Sequence, residues 1–290
     1  MEKNIAKKKI FTYLAILVVL SSVFYTLIIS AGTLSAGGGI YVLGLMWMPG
    51  VSALITQLIC EHSLRGMGWK PGRFKYLLLG YVIPLAYCLV VYGATWLSGL
   101  GGFTNAPILA AVSQYSTHGS PLLLSAIYIA NLAVFGLLGG LISGTGEELG
   151  WRGMLLPELT KVTSFNKATL ITGAVWTLWH LPLILFADYI TPGIPRWYGV
   201  IMFTLMVTGL NFVFSWLRVQ SGSFWPAAVL HASHNLFVQS IFTPLTLQNH
   251  VTPYIIDEFG VGLALAGLVL AVIFFEKKKA HSREPLAVGE

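Results

Sequence analysis

Eight long apolar runs, with charge kept to the segments between them, constrain this chain more than any other feature. They lie at roughly residues 10–30, 39–60, 75–98, 121–146, 167–187, 198–218, 224–243 and 256–275. Each approaches the ~20 residues a helix needs to cross a bilayer. The runs are continuous and lack period-2 alternation, which argues for helices over barrel strands, and helices satisfy every backbone group internally in lipid. Only 10% of the 290 residues are Asp, Glu, Lys or Arg, against about 25% in a soluble domain. So little charge cannot cover a water-exposed surface. The expected fold is an all-α polytopic membrane protein, about eight transmembrane helices in one bundle.

The net charge of +6 suggests nucleic acid only until the charges are placed. They alternate between the runs and form no continuous basic face, so no nucleic-acid partner is expected; the bilayer is. With the N-terminus in the cytoplasm, 16 of the 17 basic residues fall on inside segments and only Arg196 falls outside. That is the positive-inside bias, with both termini cytoplasmic and the cell membrane as the expected location. The first run follows Lys7, Lys8 and Lys9 in the manner of a signal peptide. Ile10 to Ser30 is longer than the usual signal core of about 7–15 residues, so an uncleaved first span is expected. The outside segment from Ser98 to Ser120, with Gly99, Gly101, Gly102 and Pro107, reads as irregular, and the tail after Lys279 as solvated and disordered. Cys60 and Cys88 form no Cys-x-x-Cys pair, which argues against a disulfide framework or a thiolate zinc site.

A charge at the bilayer centre costs about 2.5–3.5 kcal/mol on insertion scales. Most acidic residues sit at span ends, loops or tails, Glu158, Asp257 and Glu258 among them. Glu147 and Glu148 are the exceptions, at the end of the fourth run. Glu148 and Arg152 are four apart and can pair on one helical face. Glu147 is rotated about 100° away and stays free. The bland alternative is that both glutamates end the helix at the cytoplasmic interface, where they would oppose its dipole. His180 lies deep in the fifth run; alone, it would read as a hydrogen-bonded core histidine. On the seventh run His231, His234 and Asn235 share a face by the i, i+3, i+4 rule. That face must meet protein or water. If the three spans converge, a carboxylate can take a proton from water while histidine positions the water or donates to the oxyanion. Gly136, Gly140 and Gly144 recur every four residues and read as a close-packing face.

Glu147-Glu148-x-x-x-Arg152, Trp176-x-x-x-His180 and His231-x-x-x-Asn235, in that order, resemble the motifs of the CPBP (Abi) family of intramembrane peptidases, which includes the type II CAAX prenyl endopeptidases. The likeness divides the chain into a three-span region at 1–120, a peptidase-like core at 121–243, and a last span with a basic tail at 244–290. The resemblance implies Glu147 as general base with His180 holding the water, Glu148 and Arg152 as orienting groups, and His231 with Asn235 at the oxyanion. His234 matches no family position and reads as support or packing. Trp176 stands where the family has Phe, which implies an altered pocket wall.

The family is often called a metalloprotease, but the chain lacks His-Glu-x-x-His. Glu147, Glu148, His180 and His231 offer N and O ligands to zinc; a glutamate-activated water without metal accounts for the same residues and is the expected mechanism. There is no Gly-x-Ser-x-Gly elbow, no Gly-x-Gly-Asp and no phosphate loop. The expected function is an intramembrane endopeptidase cutting near the cytoplasmic leaflet, on peptide or membrane-protein substrates of prenylated CAAX-like or bacteriocin-related type. The alternative is a non-enzymatic immunity or scaffold protein, or a proton-coupled transporter. A scaffold needs no Glu/His/Asn set, and no internal repeat of transporter kind is visible.

Overall fold

The computed structural model describes residues 2–113 and 120–281, with side chains to residue 275. Nine helices form the described chain: α1 (Glu2–Ala31), α2 (Ile40–Glu61), α3 (Phe74–Leu97), the short α4 (Ala106–Ser113), α5 (Pro121–Val162), α6 (Phe165–Phe186), α7 (Arg196–Ser221), α8 (Trp225–Asn235, continued by π-helical Leu236–Phe242) and α9 (Val261–His281). The protein is a polytopic all-α membrane bundle. Among the described residues, six helices are long and apolar enough to cross a bilayer: α1, α2, α3, α5, α6 and α7. Helices also stand at the last two expected positions. In α9 the apolar part is shorter, Val261–Phe275. The 225–242 helix carries His231, Ser233, His234 and Asn235 on its buried side, which lowers its apolarity.

Three expectations are corrected. The fourth span does not stop at residue 146. α5 runs on through a π-helical turn, Trp151–Leu155, to Val162. Pro157 has no N–H to offer the Gly153 carbonyl, and the widened turn directly before it takes up the mismatch. Glu147 and Glu148 therefore lie inside a continuous helix and do not cap its end. The 98–120 segment is not irregular throughout: it holds α4, and Gly102–Phe103 pairs antiparallel with Thr246–Leu247. The last helix begins at Val261, so 256–260 is a turn before the membrane span. The tail expectation falls outside the described residues.

α2 packs on α1 and α5, α8 lies between α3 and α5, and α7 packs on α6 and α9. Glycine sets the two α5 contacts. A Cβ at Gly140 would stand 3.2 Å from Ala232 Cα, and one at Gly144 3.4 Å from His231 Cβ, so the four-residue glycine face meets α8 beside its histidine. A second glycine face, not foreseen from the sequence, meets α2: a Cβ at Gly146 would stand 2.6 Å from the Met46 carbonyl oxygen. No rotamer can clear a backbone atom. Gly146→Ala should therefore cost about 1–3 kcal/mol, read as a lower unfolding temperature in detergent, and should lower activity by displacing the adjoining Glu147.

Candidate active site

α5 brings Glu147, Glu148 and Arg152 into the core, 1%, 0% and 0% exposed. Arg152 Nη1 donates to Glu148 Oε1 at 3.0 Å, and Nη2 donates to the Asn211 side-chain oxygen. The guanidinium lies over the Trp176 ring at 4.6 Å and the Phe214 ring at 4.2 Å. One turn of helix thus supplies both the buried anion and its partner. Glu147 points elsewhere. Its Oε2 accepts the indole N–H of Trp176 at 2.7 Å and of Trp151 at 3.3 Å. Two indoles on one oxygen hold the carboxylate still and leave Oε1 toward His231, whose Nε2 is 3.9 Å away. That gap is too long for a hydrogen bond, and one water can touch both atoms.

The histidines are fixed through their other nitrogens. His231 Nδ1 lies 3.0 Å from Glu148 Oε1, an acceptor, so Nδ1 carries the proton and Nε2 faces Glu147. His180 Nδ1 lies 2.9 Å from the Trp176 carbonyl, one turn earlier in α6. A carbonyl can only accept, so the neutral ring presents a bare Nε2. Asn235, one turn beyond His231, is half-buried, and no hydrogen bond among the described residues ends on its side chain.

Glu147, His180, His231 and Asn235 line one cavity of about 220 Å³, walled by Leu45, Leu183, Phe203, Met206 and Leu210. Glu148 and Arg152 do not reach it; they stand behind His231 and Trp176. Two members escaped the sequence reading. Trp176 is more than a pocket wall, since its indole bonds the glutamate in a way the family's Phe could not. Glu258, which the sequence places at a span end, is 4% exposed and lines the same cavity. It accepts from Tyr189 at 2.6 Å and Gln239 at 2.8 Å, with His234 Nε2 at 3.4 Å. His234, also on the cavity wall, bonds Tyr87 at 2.5 Å. Burial works to raise the Glu258 carboxyl, but the bonds from His234, Tyr189 and Gln239 outweigh it and bring it down to about 2. Asp257 beside it is pushed up to about 6, by burial and then by the Glu258 charge. Trp176→Phe should keep the fold, since Phe fills the same wall, and lower kcat about tenfold, the size of one hydrogen bond to a charged group.

The donor set does not suit a tetrahedral zinc ion. Glu148 and His231 Nδ1 are spent on each other, Glu147 Oε2 is spent on two indoles, and no group of three or more His, Cys, Asp or Glu among the described residues is placed to share a metal.

Residues 129–237 match the model of the Rce1-like type II CAAX prenyl endopeptidases. That stretch holds every residue of the Glu-Glu-x-x-x-Arg, Trp-x-x-x-His and His-x-x-x-Asn patterns. Over these residues the chain is similar to this family. The chain is also 33% identical over 84 residues to CAAX prenyl protease 2 of Methanococcus maripaludis, covering 28% of this chain and 31% of that one. The chain thus matches about a third of that relative's length. Glu258 and the three N-terminal spans lie outside the family-matched segment, so the far wall of the cavity is built from parts of the chain that the family match does not reach.

Proposed function

We propose that this protein is an intramembrane endopeptidase that hydrolyses peptide bonds of membrane-associated substrates with a glutamate-activated water. One observation carries the reading: Glu147, His180, His231 and Asn235 come from three helices to one cavity inside a largely apolar bundle. Glu147 Oε1 takes a proton from water as that water attacks the carbonyl carbon. The bare Nε2 of His180 holds the water's second hydrogen. Negative charge then grows on the carbonyl oxygen. Asn235 donates to it through its side-chain N–H. His231 donates through Nε2 in its doubly protonated form, which balances Glu147 because Arg152 already balances Glu148. The proton held by Glu147 passes to the departing amine as the C–N bond breaks. Burial of these groups from bulk water strengthens each step.

The apolar wall suits an extended apolar peptide segment or an isoprenoid, which keeps prenylated CAAX-like and bacteriocin-related substrates in view. Orientation with both termini in the cytoplasm, in the cell membrane, is part of the same reading and rests on the basic residues. The test is purified full-length protein in detergent with a panel of apolar peptides, new amino termini being identified by mass spectrometry. Cleavage at defined bonds, unaffected by chelator, is expected. Cleavage that stops on chelation and returns with zinc would overturn the water mechanism.

A further inference from the structure

A second cavity, of about 270 Å³, opens at one end of the bundle and shares no lining residue with the catalytic one. It stands near the lower edge of the size range for small-molecule sites, which begins at about 300 Å³. Its walls are the start of α1, the end of α2, the α2–α3 connection and the end of α5. Two of the side chains that line it carry buried acceptors without a donor. Glu158 is 5% exposed; its Oε1 accepts from Lys9 at 2.6 Å and from Lys161 at 3.0 Å, yet no donor among the described residues reaches Oε2. Gln57 is equally buried, and its Nε2 donates to the Arg65 carbonyl at 3.1 Å. That bond settles which end of the amide is which, and Oε1 has no donor among the described residues either. Buried acceptors are nearly always satisfied, so both oxygens point to a ligand that donates.

The charges define the rest of that ligand. Lys9, Arg65 and Lys161 line the cavity with Glu61 and Glu158, which leaves one positive charge in excess. Lys9 is occupied by both carboxylates, with Glu61 at 3.2 Å. Arg65 is exposed, and no hydrogen bond or ion pair among the described residues ends on its guanidinium. A phosphodiester bearing free hydroxyls matches both needs: one negative charge for Arg65 and Lys161, and O–H donors for the two oxygens. An ethanolamine phosphate would bring a further cation beside Lys9 and Lys161 and leave the excess unbalanced. A choline phosphate has no N–H or O–H to give, and a metal ion would compete with two ammonium groups already on Glu158. The surroundings suit a lipid. Glu61 ends α2, and Glu158 and Lys161 lie close to the end of α5 at Val162, the level at which spanning helices meet headgroups. Ile5, Leu58, Ile59 and Leu64, close in sequence to these positions, are exposed apolar side chains.

We propose that this cavity binds the headgroup of an anionic phospholipid with free hydroxyls, of the phosphatidylglycerol type, with its acyl chains along the exposed apolar side chains of α1 and α2. Arg65 and Lys161 hold the phosphate, and the glycerol hydroxyls donate to Glu158 Oε2 and Gln57 Oε1. The site stands apart from the peptidase reading and does not depend on it. Gly153 and Met154 on its wall belong to the π-helical turn that also carries Trp151 and Arg152. A bound headgroup therefore braces the turn whose side chains hold Glu147 and Glu148.

The test titrates the delipidated full-length protein in detergent with lipids of identical acyl chains, reading bound lipid by native mass spectrometry and the unfolding temperature in parallel. Phosphatidylglycerol should bind one to one and raise the unfolding temperature. Phosphatidylethanol, which has the same charge and no hydroxyl, should bind about tenfold more weakly, as should phosphatidylethanolamine, the size of one lost hydrogen bond to a charged group. Glycerophosphoglycerol, the same headgroup without acyl chains, should bind more weakly still. Arg65→Ala and Lys161→Gln should each weaken phosphatidylglycerol about tenfold, whereas Lys70→Gln, an exposed cation on the same connection but off the cavity, should not. Equal binding of phosphatidylethanol and phosphatidylglycerol would overturn the proposal, because the two buried oxygens would then have no part in recognition. Equal loss in Lys70→Gln would also overturn it, reducing the effect to general attraction of a basic surface. Glycerophosphoglycerol binding as tightly as the lipid would overturn the lipid as the occupant.

Discussion

Glu147→Gln should lower kcat by about 10²–10⁴-fold, the range a positioned general base supplies, while the protein folds and melts much as before. The two halves of that expectation come from different atoms of one side chain. Gln keeps the shape of Glu, and its amide oxygen can accept the Trp151 and Trp176 indoles as Oε2 does now. Its nitrogen would then face His231 Nε2 across the 3.9 Å gap where Oε1 stands. An amide nitrogen is a donor with no basic lone pair, so the water between these groups can be held but not deprotonated. The measurement is single-turnover cleavage of an apolar peptide, beside circular dichroism and thermal unfolding of the same preparation. A variant that unfolds would leave kcat uninformative; there His180→Gln serves, since it removes the group that holds the water from a half-buried position. Activity within threefold of the wild type in a folded Glu147→Gln protein would remove Glu147 from the chemistry.

Much of this site was legible in the sequence because it depends on short-range helical geometry. Glu148 and Arg152 pair because they are four residues apart, and His231, His234 and Asn235 reach one cavity because they share a face. A polar residue in an apolar run has nowhere else to go, which is why Glu147 and His180 could be singled out. What was missed is long-range. Lys9 and Glu158 read as ordinary interfacial charges, yet both are buried in an ion pair that closes across 149 residues of chain. Glu258 looked like a loop carboxylate because its partners, Tyr189, Gln239 and His234, sit on a different connection and a different helix. The extension of α5 past residue 146 was hidden by its composition: Glu147, Glu148 and Arg152 break the apolar run, and only tertiary partners make a helix of them affordable in the core. The same holds for the glycines. Periodicity exposed the face that meets α8, while Gly146 and Gly150, also four apart, stand at and beyond the end of the apolar run, and only the packing shows them facing α2.

Arg152→Ala should do more damage to the fold than any other single change at this site, about 3–5 kcal/mol, because it strands the Glu148 carboxylate in the core without a counter-charge. Arg152 is fully buried, bonded to Glu148 and Asn211, and sandwiched against Trp176 and Phe214. Arg152→Lys should recover only part of the loss. A lysine restores the charge but cannot bond Glu148 and Asn211 in one plane while lying flat between two rings. The informative variant is the double one, Arg152→Met with Glu148→Gln. It removes both charges, keeps apolar volume between the rings, and should regain most of the unfolding temperature lost in Arg152→Ala, since replacing a buried pair outright is often close to neutral. It should not regain activity. Without the Glu148 carboxylate on Nδ1, His231 loses the partner that fixes its ring and supports its protonated form. Stability and catalysis would thus separate in a single protein, with thermal unfolding rescued and kcat still depressed at least tenfold. Recovery of both together would mean that Glu148 and Arg152 serve only to hold the bundle, and that His231 needs no carboxylate behind it.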